Sequence, residues 1–141
     1  MKKSVLVFLS LMLFAAGGCS RKKDYSSEQG FLNAWGTAIK TRDFSLYSKY
    51  EAFPKTIDQF NEIYRDYYFS DIIVVDISSP SDPLKDFNDE MYIKKEASIA
   101  GYIVFRKDQR RSPFSGKIDF INRTSRKDVW LIANRIIVRS E

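Results

Sequence analysis

The hydrophobic repeat changes period near residue 71, and that change limits the chain to a mixed architecture. Before it, apolar residues recur at helical spacing: Phe31, Leu32, Trp35, Ala38 and Ile39; then Phe44, Leu46, Tyr47 and Tyr50; then Ile57, Phe60, Ile63, Tyr64, Tyr67 and Tyr68. Each set forms a stripe along one helix face. Ser26 with Gln29, and Thr56 with Gln59, have the spacing of a capping box; Asp43 suits the N-cap of the second helix, and Pro54 ends it. From Ile72 the pattern becomes β-branched and alternating. It predicts strands over residues 72–77, 92–106, 116–124 and 129–138, with a loop at 78–83 and turns at 107–113 and 125–128. In the long strand, Ile93, Ala97, Ile99, Ile103 and Phe105 share one face, and Tyr92, Lys94, Glu96, Tyr102 and Arg106 the other. Helices first and antiparallel strands afterwards predict an α+β domain.

The N-terminal end carries different information. Lys2 and Lys3 precede a mainly apolar run over residues 5–16, followed by Gly17, Gly18 and Cys19. The run is far shorter than the ~20 apolar residues a membrane-crossing helix needs, and it has the layout of an export signal. Ala16, Gly17, Gly18 and Cys19 resemble the lipobox of bacterial lipoproteins. That resemblance implies a signal peptide over residues 1–18 and a membrane anchor of acyl chains such as palmitate on Cys19. An ordinary signal peptide with Cys19 incidental, or a buried N-terminal strand, are the competing readings. Cys19 is the sole cysteine, so no disulfide forms within a monomer. Residues 19–26 read as a polar tether whose Arg21, Lys22 and Lys23 suit anionic headgroups. Ser20 after Cys19, rather than the Asp that retains many lipoproteins in the inner membrane, favours the outer membrane, facing the periplasm, where a cell envelope has two membranes.

Residues 27–141 suit one domain. Its charge is uneven: residues 24–90 hold 13 acidic and 6 basic side chains, residues 91–141 hold 5 and 12. The split suggests either a bipolar surface or two halves that pair with each other.

Trp35 and Ala38, then Arg42, Asp43 and Phe44 opening the next helix, resemble the start of a nuclear transport factor 2-like (NTF2-like, or SnoaL-like) domain. Trp130 with Ile132 resembles that family's terminal strand. The resemblance spans roughly residues 28–138. It implies a curved antiparallel sheet wrapped as a cone around the first helix, with a cavity at its open end. Trp35, Tyr92, Tyr102 and Trp130 are candidates to line that cavity, although aromatic stripes at helical spacing are more often plain core. The resemblance also implies a role without catalysis, as an interaction or envelope-assembly accessory module. A small-ligand carrier is the alternative.

The chain contains no histidine, which excludes His-based acid–base and nucleophilic sites and the usual zinc ligand sets. Asp82, Asp86, Asp89 and Glu90 share a loop but lack the ligand alternation of a calcium-binding loop, so neither a metal nor another cofactor is expected. Some NTF2-like proteins are isomerases or dehydratases that use a cavity Asp. Here Asp76 or Asp119 would be that acid, with Tyr92 or Tyr102 as donor. Arg106, Lys107, Arg110 and Arg111 crowd one turn and are the candidate binding residues. An exported lipoprotein rarely meets nucleic acid, so their expected partner is an envelope protein or a polyanionic envelope component. The sequence is compatible with a monomer or a dimer.

Overall fold

The first helix, α1 (Ser26–Thr41), buries Leu32, Trp35, Ala38 and Ile39 completely, the face its spacing predicts. These positions belong to a computed structural model that describes residues 23–126 and 129–136. The expected signal peptide, Cys19 and the first part of the tether lie outside the described residues. The start of α1 differs from expectation. Ser26 and Gln29 form no capping box: the Ser26 amide donates to Asp24 Oδ1 at 2.9 Å, and Gln29 is used elsewhere. Tyr25, expected in a tether, packs partly buried against the core, and its hydroxyl donates to Asp76 Oδ1 at 2.7 Å.

Helix α2 (Phe44–Tyr50) is capped by Asp43, which accepts from the Leu46 amide at 3.0 Å. Helix α3 (Ile57–Ile63) opens on the expected Thr56 and Gln59 capping box. It ends early. Tyr67 and Tyr68, read from the sequence as its last turn, instead begin strand β1 (Tyr67–Ile77), since aromatic residues suit a half-buried pleated surface at least as well as a helix. Ile57 and Ile63 remain exposed.

The strands β1, β2 (Leu84–Lys85), β3 (Met91–Phe105), β4 (Arg111–Arg123) and β5 (Trp130–Asn134) form one antiparallel sheet in the order β1-β3-β4-β5, with the short β2 also on β3. The three helices pack on this open sheet, so the α+β class expected from the sequence is the one observed. The β3–β4 register runs without a break from Tyr92↔Arg123 to Val104↔Arg111. Strand β4 starts earlier than the sequence suggests and includes Pro113. β5 pairs with residues 118–122 of β4, and among the described residues no strand lies beside Pro113 on that side, an edge position where proline is tolerated.

Strand β1 is the other edge. Its register slips between Ser70 and Ile73, where Asp71 takes a left-handed φ of 50°. Gly101 of β3 lies under that bulge: a Cβ there would meet Ile72 Cα and the Ser70 carbonyl at 3.0 Å, so the backbones approach closely only with glycine. Gln29 closes the exposed side. Its amide donates to the Ile72 carbonyl at 2.7 Å and accepts from the Val74 amide at 2.9 Å, which satisfies edge groups otherwise open to another strand.

The core lies between α1 and the sheet. Trp35 stacks on Phe69 with ring centres 5.4 Å apart, and Phe60, Ile99, Ile118, Phe120 and Ile132 fill the space beside them. Among the described residues no helix is long and apolar enough to cross a membrane.

Candidate functional site

After α2 the chain leaves the helix in extended geometry at Glu51 (φ −90°, ψ 134°) and makes an isolated parallel bridge to Ile132 of β5. The next amide, Ala52, donates to the Ile132 carbonyl at 2.8 Å. This crossing carries a carboxyl group into the protein: Glu51 is only 6% exposed. The Trp35 indole N–H donates to Glu51 Oε1 at 2.9 Å, and the Tyr47 hydroxyl lends a second hydrogen bond. No lysine or arginine among the described residues is within ion-pair distance of it.

Beside Glu51 lies a cavity of about 700 Å³, walled by Tyr47, Tyr64 and Tyr67 and closed on the β5 side by Ala133, Asn134 and Ile136. Asn134 Nδ2 donates to the Tyr64 hydroxyl at 3.4 Å. Phe53, Lys55, Ile63 and Arg135 also border it, and as exposed residues they form its rim. Burial raises the Glu51 carboxyl from 4.5 to about 7, although hydrogen bonds from Trp35 and Tyr47 and the charge of Lys55 hold it down in part. Burial likewise raises the Tyr47 and Tyr64 hydroxyls well above their ordinary value and pushes Tyr67 up to about 12. The tyrosines are therefore neutral hydrogen-bonding walls at physiological pH, whereas Glu51 gains or loses a proton there. A second hollow, about 600 Å³, borders the far side of Glu51. Several of its polar groups are already engaged, Arg123 with Glu90 at 3.2 Å and the Ser125 hydroxyl with Glu90.

The residues singled out from sequence lie elsewhere. Trp35 is fully buried core and meets the site only through its N–H. Tyr102 is 39% exposed on the face of β3 opposite Ala97 and Ile99, beneath the Arg111 guanidinium at 4.1 Å. Trp130 is half-buried under the Lys95 ammonium at 4.2 Å, and Lys95 also pairs with Glu28 at 3.1 Å. Tyr92 is half-buried in the sheet between Leu84 and Arg123. None of the four borders the cavity. Asp76 is an exposed surface acid, held below the usual carboxylate range by the Tyr25 hydroxyl and Lys23. Asp119 is buried but committed to ion pairs with Arg135 and Lys94.

The basic turn is divided. The Arg106 guanidinium turns inward and donates to the carbonyls of Ile39, Lys40 and Tyr64 at 2.7, 2.9 and 3.1 Å, closing the C-terminus of α1, where a cation is favoured. Arg111 pairs with Asp71, and Arg110 lies 4.8 Å from the centre of the Phe105 ring. Lys107 is exposed. In the acidic loop, Asp86 accepts from Arg123 and from the amides of Asn88 and Glu90, so its carboxylate is engaged by protein donors.

No family model, curated protein or solved structure matches this chain. The site consequently rests on its own geometry. Sequence reasoning missed Glu51, Tyr64, Tyr67 and Asn134 as a group. The one signal present was local: Glu51 stands four residues after Tyr47, which puts an acid in line with the apolar face of α2.

Proposed function

We propose that this chain is a lipid-anchored protein of the cell envelope, attached through Cys19, whose NTF2-like domain is a non-catalytic binding module. The helix-to-strand order and the packing of α1 on the sheet support the NTF2-like reading. Of the two non-catalytic roles, partner docking and small-ligand carriage, the second has the better support. The observation that carries it is the roughly 700 Å³ cavity floored by Glu51, within the range typical of small-molecule sites. The basic turn offers docking only Lys107, Arg110 and Arg111, because Arg106 is engaged within the fold.

The test is a thermal-shift screen of the full chain in maltoside micelles against small organic acids, amines, zwitterions and neutral aromatics. An Ala133→Trp variant, which fills the cavity, serves as control. Binding by the parent and its loss in the variant is the expected result; equal shifts in both contradict the cavity role. The anchor has its own test: Cys19→Ser should release the protein from the detergent phase, and unchanged partitioning contradicts lipidation.

A further inference from the structure

The geometry points to a small zwitterion carrying a methylated ammonium as the ligand, its cationic end against Glu51 and the tyrosine walls and its anionic end at the Lys55 rim. This rests on the cavity reading above and names the chemistry it selects. Glu51 is a buried carboxyl whose two close partners, Trp35 and Tyr47, are neutral donors. Among the described residues no cation is within ion-pair distance of it, Lys55 acting on it only from farther away, and a buried acid so placed is costly when ionised, so a cation entering the cavity completes the site. The adjoining walls are aromatic: Tyr47 and Tyr64 have ring centres 6.0 Å apart, Tyr64 and Tyr67 5.7 Å. These rings meet edge to face, and aromatic rings beside a carboxylate attract a methylated ammonium, which needs no hydrogen-bond acceptor and is weakly hydrated. Among the described residues a metal ion would find one carboxylate here, fewer oxygens than calcium or magnesium require. A simple anion would meet Glu51 at the floor. At the rim, Arg135 is already bound to Glu96 and Asp119, whereas Lys55 has no ion-pair partner among the described residues. A cation at the mouth and an acid at the floor are complementary to a molecule with both charges.

The groups around Glu51 are Trp35 from α1, Tyr47 from α2, Lys55 from the α2–α3 connection, and Tyr64, Asn134 and Arg135 around the cavity, with Lys49, Glu90, Arg123 and Arg126 around the second hollow. Burial raises the Glu51 carboxyl to about 7, so capture of a permanently charged ammonium should strengthen as pH rises.

The experiment uses glycine betaine, its carbon isostere 3,3-dimethylbutanoate, which keeps shape and carboxylate but lacks the ammonium charge, and choline, which lacks the carboxylate. Binding to the full chain in maltoside micelles is measured by calorimetry at pH 5.5 and 8.5. Betaine should bind about tenfold or more tighter than the isostere at pH 8.5, choline should fall between them, and betaine affinity should drop at pH 5.5. Glu51→Gln, which keeps an acceptor for Trp35, should remove both the preference and the pH dependence. Equal affinity for betaine and its isostere, lost in Ala133→Trp, overturns the ammonium assignment and leaves the cavity reading intact. Binding by neither overturns the assignment, and the broader screen then decides the cavity reading by itself.

Discussion

In the turn between β3 and β4, four cations occupy six positions, yet Arg106 is bound to three carbonyls, Arg111 to Asp71, and Arg110 covers an aromatic ring. In the cavity beside β5 a single buried acid stands with neutral donors and, among the described residues, no cation within ion-pair distance. The turn is conspicuous in sequence and largely satisfied in structure; Glu51 is inconspicuous in sequence and left incomplete. Density of charge along a chain is thus a poor guide to where binding chemistry is located, because neighbouring strands and helix ends can absorb it. Burial without a partner is the more telling signal.

The comparison is broken most severely by Trp35→Ala. The change empties a fully buried aromatic site and removes the indole donor to Glu51, so a loss of about 3–5 kcal/mol is expected in denaturant melts. A loss below about 1 kcal/mol would mean that the cavity floor does not depend on α1. Next comes Glu51→Gln. The folded carboxyl holds its proton more tightly than the unfolded one, so its contribution to stability is complete below pH 4.5 and is lost as pH rises through about 7. Removing the group should therefore leave stability near pH 4 unchanged and raise it above pH 8 by at most about 3 kcal/mol. Melting curves of parent and variant across that range check the sign, and parallel curves would place Glu51 in water.

The turn should respond more weakly, and unevenly. Arg106→Met deprives the carbonyls of Ile39, Lys40 and Tyr64 of a charged donor and should cost about 2 kcal/mol in a urea titration. Arg110→Glu with Arg111→Glu should change stability by less than about 1 kcal/mol, since the Arg111–Asp71 pair is exposed. It should also leave ligand affinity at the cavity unaltered. Equal costs for the two turn variants would remove the distinction between a helix-closing cation and surface ones.

What the sequence made legible was local. The Asp43 cap and the Thr56 and Gln59 capping box form as their spacing predicts, because every partner lies within one helical turn. The residues around Ser26 and Gln29 have the same spacing but a different outcome: the free edge of β1 offers Gln29 two backbone partners, an attraction no local pattern contains. Tyr67 and Tyr68 fit the periodicity of α3, and only pairing with Val104 and Phe105 of β3 draws them into a strand. Glu51 is the extreme case. Its burial follows from a bridge to Ile132 near the opposite end of the chain, so its chemistry emerges only when α2 and β5 meet.

The most direct measurement is a carbon-13 titration of the glutamate side-chain carboxyls in the full chain, with Glu51→Gln identifying the resonance. A Glu51 midpoint of about 7 is the expected result for a buried carboxyl at the floor of the cavity. A midpoint near 4.5, the ordinary value, would show a solvated side chain and contradict the account of the site.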